Sequence, residues 1–457
     1  MPLSVANEIH DSSPLVGHFR TGAGFPVFDV EGSLSREGAL FSFGQDVVCY
    51  GRVGGPARPG RDGALPDVAR RVALGDGSIR LPFDPKEVLD NLRYERYVNP
   101  SGRKSWIERS PIERAYYRLR PVLPVEIRRH LQRAYMNLRT NPAFPRWPLD
   151  RSADVLFERL LVLAMEAMGT DRAPFIWFWP EGHQAAAILT HDVETTEGRD
   201  FTPRLMDIDD AAGFRAAFQI VPEDRYDVPA GWVEAIRERG FEVNLHGLNH
   251  DGNLFASREA FLAQADRINA YAEAWGVRGF RSPSLYRNAD WLGELHFAYD
   301  MSVPNVARYE AQLGGCCTVM PYFLPGGMLE LPLTMSEDYT LFHILGDYST
   351  RLWQRQAAEI LAGHGLITIL VHPDYVVEPR AQDVYRRLLE ETSRLESENG
   401  VWMALPGEVD RWWRERSRME LVEGGDGWSV EGAGSERARV AFASRDGDRV
   451  VYEIPSD

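Results

Sequence analysis

The most informative segment of the sequence is Ala185-Ala-Ala-Ile-Leu-Thr-His-Asp-Val-Glu194, where an apolar run ends in a histidine and two carboxylates. On an extended backbone the side chains at positions i and i+2 project to the same face, so Asp192 and Glu194 point in one direction. Two neighbouring like charges repel unless a cation or a basic side chain lies between them. The end of this predicted strand therefore requires a positively charged partner.

Short apolar strands alternate with helical patterns along the chain that follows Pro180. The predicted strands are 185–190, 216–221, 241–245, 277–280, 329–333, 366–371 and 401–405. The helical patterns between several of them are 230–239, 258–275, 351–362 and 381–397. This alternation predicts a parallel sheet with helices outside it, either open or closed into a barrel.

The sequence on either side of this region has a different character. We predict an irregular β-rich N-terminal domain, a helical connector with a buried helix at 153–168, the (β/α) unit and a small β appendage, with boundaries at 1–110, 111–180, 181–415 and 416–457. Within the connector, Ile127, Leu131, Tyr135 and Leu138 recur at helical spacing.

Composition narrows the class of protein. The 457 residues carry a net charge of −16, which argues against nucleic acid or an anionic membrane as the main partner. No apolar run is long enough to span a bilayer, and the N-terminus lacks the basic and apolar segments of a secretory signal. The three cysteines form no readable disulfide framework. We therefore expect a cytoplasmic enzyme without a membrane segment.

Polar residues that could catalyse a reaction or bind a metal follow four of the predicted strands. These groups are Thr190–Glu194, His246–Asp251, Arg281–Pro283 and His372–Asp374. The C-terminal ends of parallel strands share one rim, where sites are normally built. His246 and His250 are four residues apart, so one helical turn would aim both imidazoles the same way. With one carboxylate they form a set that zinc and non-haem iron sites use.

The order of these motifs resembles the polysaccharide deacetylase family, the NodB-homology carbohydrate esterases. The family pattern is T-F-D-D-G, H-(S/T)-x-x-H, R-x-P and L-x-H on a distorted (β/α) barrel. The matches here are T-H-D-V-E from Thr190, H-G-L-N-H from His246, R-S-P from Arg281 and L-V-H from Leu370. The resemblance spans roughly residues 183–410 and implies a NodB-type barrel with an N-terminal β-rich and helical extension and a C-terminal β appendage.

The resemblance implies a role for each matching residue. Val193 replaces the family's second aspartate, so Glu194 would bind the metal with His246 and His250, while Asp192 would be the base. The alternative, in which Asp192 is itself the ligand, stays open. By the same resemblance Arg281 would hold Asp192 and His372 would be the acid. Residues on the substrate side would be Pro283, Tyr286 and Asp374. The family's Asp-Trp motif cannot be placed, and Gly247 replaces its usual Ser or Thr.

The activity implied by the resemblance is hydrolysis of a non-peptide C–N bond, which removes an acyl group, acetyl in the first instance, from an N-acylated carbohydrate. The expected cofactor is a divalent metal, zinc first, with cobalt, nickel, manganese and iron as alternatives; the water bound to it attacks the carbonyl. Two other functions stay open. One is an inactive barrel that binds carbohydrate, which the missing aspartate at Val193 favours, and the other is a non-haem iron oxygenase. Asp192 and Glu194 could also simply cap a helix.

Overall fold

The computed structural model describes residues 13–455 except 23, 56–63, 76–77, 99–142, 230 and 426. Its helices are α1 (Pro14–Phe19), α2 (Pro85–Arg93), α3 (Ser152–Met168), α4 (Thr196–Ala211), α5 (Trp232–Glu238), α6 (Arg258–Trp275), α7 (Ala289–Leu292), α8 (Arg351–Leu361), α9 (Pro379–Asn399) and α10 (Pro406–Arg416). The predicted helical pattern at 127–138 lies outside the described residues.

The strands outside the central sheet are β1 (Val27–Val30), β2 (Ala39–Ser42), β3 (Val48–Gly51), β4 (Ala73–Gly75), β5 (Ser78–Leu81), β6 (Arg172–Ile176), β16 (Glu420–Gly424), β17 (Gly427–Glu431), β18 (Val440–Asp446) and β19 (Arg449–Glu453). The central strands are β7 (Ala185–Val193), β8 (Ala217–Ile220), β9 (Glu242–Leu245), β10 (Gly279–Phe280), β11 (Tyr299–Asp300), β12 (Tyr322–Phe323), β13 (Leu329–Glu330), β14 (Leu366–Leu370) and β15 (Val401–Ala404).

The central sheet has the strand order β12-β13-β11-β10-β9-β8-β7-β14, and β15 pairs with the first half of β7. All of these pairs are parallel except β12 with β13. Helices α4, α5 and α6 connect successive strands from β7 to β10, and α8 and α9 flank β14. This arrangement confirms the predicted alternation of parallel strands and helices.

Side chains join the two ends of the central sheet. Thr334, which lies beyond β13, donates its hydroxyl to the Leu366 carbonyl of β14 at 2.7 Å. Thr368 donates its backbone N–H to Thr334 Oγ1 at 2.9 Å and its own hydroxyl to the Pro332 carbonyl at 2.7 Å. The sheet therefore curls into the distorted (β/α) barrel that the motifs predicted.

A hydrophobic cluster surrounds α3. Its members come from the N-terminal strands, from the run 175–179 and from the C-terminal strands, and β18 pairs with β6. Phe175, Trp177 and Trp179 are buried here, so this aromatic run serves packing. The division into four sequence segments stays a prediction. Within the described residues, no helix is long and apolar enough to cross a membrane.

Candidate metal centre

The strand register brings the predicted site residues to one rim of the barrel. The backbone N–H of His246 donates to Ile220 O on β8, and that of Arg281 donates to Leu245 O on β9, both at 2.9 Å. Val371 N donates to Thr190 O at 3.1 Å, which aligns the end of β14 with the end of β7. The residues that follow these strands therefore face one shared mouth.

Glu194, His246 and His250 lie close enough to hold one cation. Their potential ligand atoms are all within 4.8 Å of one another. Glu194 Oε1 is 2.8 Å from His250 Nε2 and 3.8 Å from His246 Nε2. With metal bonds of about 2.0–2.1 Å, the ligands of a tetrahedral zinc lie roughly 3.3–3.5 Å apart, a value between these two distances. The donor set of two imidazoles and one carboxylate suits a divalent transition metal.

The hydrogen bonding of His246 tests whether these residues fit a metal. Its Nδ1 lies 3.1 Å from the carbonyl oxygen of Arg281, so Nδ1 carries the proton and donates it there. In the neutral ring Nε2 then presents a lone pair, and this buried atom has no hydrogen-bond partner among the described residues. Buried polar atoms are rarely left unpaired, and metal-bound histidines commonly donate their second nitrogen to a carbonyl. The residues present therefore fit a metal.

The loop after β9 orients the two histidines without a helical turn. Gly247 has φ +66° and His250 has φ +54°, both in the left-handed region, and the two ring centroids are 5.1 Å apart. The prediction of a helical turn between His246 and His250 is therefore wrong. A Cβ added at Gly247 would lie 2.5 Å from Pro283 Cγ. This contact and the positive φ explain why glycine stands where the family has Ser or Thr.

Asp192 is buried beside Arg281. Arg281 Nη1 donates to Asp192 Oδ1 at 2.8 Å and to Thr190 Oγ1 at 3.0 Å, while its Nε donates to Met301 O at 3.0 Å. Burial alone would raise the pKa of Asp192, but the Arg281 charge and the nearby imidazoles hold that pKa below its ordinary value. The second oxygen, Oδ2, is 3.7 Å from His246 Nε2. Asp192 is thus an ionised carboxylate next to the three-residue cluster.

His372 is held by a carboxylate that the sequence did not reveal, that of Asp338. His372 Nδ1 is 2.7 Å from Asp338 Oδ1, and His372 N donates to Asp338 Oδ2 at 2.8 Å. Its Nε2 faces Glu194 Oε1 at 3.8 Å. Burial would lower the pKa of His372, but Asp338 raises it well above its ordinary value. Asp338 follows the predicted strand 329–333, so an acid beyond a strand end was the signal that could have found it.

The helix-capping alternative for the two acids of the first motif is not what the structure shows. Helix α4 is capped by Thr195, whose hydroxyl accepts from Gly198 N at 3.4 Å. Asp374 in turn accepts from Glu194 N at 3.2 Å and from the Thr195 hydroxyl. Asp374 therefore supports the loop that carries Glu194, and its predicted contact with substrate stays a prediction. Pro283 and Tyr286 lie beside His250 in a small cleft at the rim.

A buried hydrogen-bond network lies behind the site. His191 Nδ1 is 2.7 Å from Val371 O, and His191 Nε2 is 3.1 Å from Asp209 Oδ2 on α4. Tyr385 of α9 donates its hydroxyl to Asp209 Oδ1 at 2.5 Å. Because His191 precedes Asp192 and Val371 precedes His372, this network fixes the spacing between the two strand ends.

No protein-family model matches the sequence, and no curated protein matches it. Solved structures that resemble the chain include a protein from Mycobacterium smegmatis assigned as a polysaccharide deacetylase, with 20% identity, 52% of this chain and 93% of that chain covered, and a TM-score of 0.42. Others are the chitin deacetylase from Colletotrichum lindemuthianum (15% identity, 50% and 89% covered, TM-score 0.33) and the peptidoglycan deacetylase PdaC from Bacillus subtilis (12%, 52% and 95%, 0.34). At these identities and TM-scores the likeness concerns the fold alone.

Proposed function

We propose that this chain is a metal-dependent hydrolase that removes an acyl group, acetyl in the first instance, from an N-acylated carbohydrate. The observation that carries the proposal is the buried Nε2 of His246, which lacks a hydrogen-bond partner in the described part of the chain and faces Glu194 and Asp192 at 3.8 and 3.7 Å. Glu194, His246 and His250 would hold the cation. A divalent metal bound there would lower the pKa of a water molecule and polarise the amide carbonyl.

Two proton-handling groups lie beside the proposed ligands: Asp192 Oδ2 is 3.7 Å from His246 Nε2, and His372 Nε2 is 3.8 Å from Glu194 Oε1. Asp192 is ionised and would accept the proton of the attacking water, while Arg281 keeps it in place at 2.8 Å. His372 is held in its protonated form by Asp338 and would donate to the leaving amine through Nε2. General acid and base groups of this kind each contribute about 10²–10⁴-fold to rate. The presence of a candidate base and a candidate acid supports the proposal, because amide hydrolysis needs both.

The same contacts favour hydrolysis over an inactive carbohydrate-binding barrel. Val193 is fully buried in the hydrophobic core, so the family's second aspartate has no equivalent at that position. Glu194, however, supplies a carboxylate within 2.8 Å of His250. The Asp338–His372 and Arg281–Asp192 pairs offer an acid and a base, which hydrolysis requires and carbohydrate binding does not.

The test is acetate release from the N-acetylglucosamine tetramer by protein purified without chelators. We expect release that dipicolinate abolishes and that added zinc or cobalt restores. Asp192→Asn should reduce the rate by at least about 10²-fold. The matched control is Glu197→Gln, because Glu197 is an exposed acid on the first turn of α4 and should leave the rate unchanged. A metal-loaded wild type that releases no acetate from this or any other N-acylated sugar would contradict the proposal and favour the binding barrel; turnover dependent on oxygen and a 2-oxo acid would favour the oxygenase.

A further inference from the structure

A buried ion pair joins the N-terminal region to the rim of the barrel. Arg287 Nε donates to Glu95 Oε2 at 2.6 Å, and Arg287 Nη2 donates to Glu95 Oε1. Glu95 is 4% exposed and Arg287 is 2% exposed, so water does not screen the pair. Glu95 follows α2, outside the barrel, whereas Arg287 lies in the loop that begins at Arg281. The pair thus links a segment outside the barrel to the loop that carries Pro283 and Tyr286.

This loop has a strained backbone. Ser284 and Leu285 have φ of +54° and +53°, two consecutive non-glycine residues in the left-handed region. Such conformations persist only where the surroundings enforce them, and they concentrate at functional sites. Arg287 Nη1 donates to the Leu285 carbonyl at 2.8 Å, so the arginine paired with Glu95 also holds the strained segment directly. The ion pair is therefore positioned to maintain the shape of the loop.

The backbone at Gly314 and Gly315 packs closely against the Glu95 carboxylate. Gly315 N donates to Glu95 Oε1 at 2.6 Å, and a Cβ at Gly314 would collide with that same oxygen. Gly314 and Gly315 have φ of +130° and +147°, values that favour glycine. Both oxygens of Glu95 thus accept hydrogen bonds from Arg287, and Gly315 N holds the carboxylate in the orientation that receives them.

We propose that Glu95 is a positioning residue for the substrate-binding rim: through Arg287 it locks the strained loop 284–285 and so sets where Pro283 and Tyr286 meet the substrate. The proposal rests on the proposed function for its consequence, a change in substrate affinity. A buried ion pair is weak support for stability as such, because desolvation offsets the attraction. It does, however, define a single geometry for the groups around it. The N-terminal region thereby contributes to specificity without touching the metal ligands.

The experiment compares the wild type with Glu95→Gln and with the double variant Glu95→Gln/Arg287→Met. The single change leaves a buried unpaired cation and could prevent folding, whereas the double variant removes both charges and keeps an acceptor for Gly315 N. The matched control is Glu87→Gln, which removes an exposed ion pair with Arg52 on the neighbouring helix α2. The measurements are amide hydrogen exchange across residues 284–287, metal content, and KM and kcat for the N-acetylglucosamine tetramer.

In the double variant we expect exchange at Leu285 and Tyr286 to rise and KM to increase about tenfold, with kcat and metal content close to wild type. The control should match the wild type in all four measurements. Unchanged exchange together with unchanged KM in the double variant would overturn the proposal. A wild type that binds metal but hydrolyses no N-acylated sugar would refute the proposed function instead, and the exchange measurement would still decide whether Glu95 holds the loop.

Discussion

Nδ1 of His372 lies 2.7 Å from Oδ1 of Asp338, and the second oxygen of this carboxylate accepts the backbone N–H of the same histidine. Asp338 therefore fixes both the ring and the main chain of His372. Because Nδ1–H is committed to Asp338, the proton that can be transferred is the one on Nε2, which lies 3.8 Å from Oε1 of the predicted ligand Glu194. This relationship makes the acid role of His372 testable.

Asp338→Asn should move the basic limb of the pH–rate profile to lower pH. Burial would lower the pKa of His372, and the Asp338 charge is what raises it well above its ordinary value. An acid catalyst is active while protonated, so its activity is lost as pH rises through its pKa, and a lower pKa brings that loss to lower pH. We also expect kcat at neutral pH to fall by about tenfold to a hundredfold. A profile with the wild-type limb would show that His372 does not act as the acid.

Gly247→Ala should weaken metal binding and destabilise the fold. The residue would have to adopt φ +66°, which costs about 1–2 kcal/mol, and its Cβ would overlap Pro283, which adds about 1–3 kcal/mol. Gly252→Ala is the control, since Gly252 has φ +76° but open space around it. Urea unfolding of both variants separates the cost of the positive φ from the cost of the overlap with Pro283. Zinc titration of both variants measures the change in metal binding. Equal losses of stability in the two variants would mean that the contact with Pro283 has no effect.

Tyr385→Phe should lower kcat several-fold while it leaves the metal content unchanged. The change removes the hydroxyl that donates to Asp209, and the net loss of one buried hydrogen bond is about 0.5–1.5 kcal/mol. Tyr94→Phe provides the comparison, because it removes a tyrosine hydrogen bond of 3.0 Å to Phe323 O away from the site. If both variants lose stability equally and both keep wild-type kcat, the His191 network has no part in aligning the strand ends.

Glu330→Gln should be tolerated at neutral pH and should flatten the decline of stability at higher pH. Burial first and the facing carboxylate of Asp300 second raise the pKa of Glu330 well above its ordinary value. The folded protein then binds a proton that the unfolded chain releases near pH 4.3, so this contribution to stability is present below about pH 4.3 and is lost as pH rises towards the folded pKa. Urea unfolding from pH 5 to 9 measures the slope. A variant that declines as steeply as the wild type would show that Glu330 is not the group responsible.

The sequence predicted the barrel and the meeting of its strand ends because both follow from local patterns. Apolar runs separated by amphipathic helices define a parallel sheet, and the residues after each run must then share a rim. Helix α4 was not predicted, because Gly198 and Pro203 interrupt its helical pattern.

Contacts between residues far apart in the sequence leave no comparable pattern in the sequence. Asp338 reaches His372 across 34 residues, and Glu95 reaches Arg287 across 192 residues. Neither pair has a characteristic spacing, so the sequence does not indicate which residue pairs with which, although the position of Asp338 beyond a predicted strand marks it as a candidate. The left-handed backbone at His250 likewise replaces the helical turn that a four-residue interval favours.

The metal content of three proteins purified without chelators tests directly whether Glu194, His246 and His250 hold one cation beside a free base. We predict about one equivalent of divalent metal in the wild type and in Asp192→Asn, and a large loss in Glu194→Ala. Metal retained by Glu194→Ala but lost from Asp192→Asn would assign the two acids the other way round. No metal in the wild type, even after loading with zinc, cobalt, nickel, manganese or iron, would contradict the account.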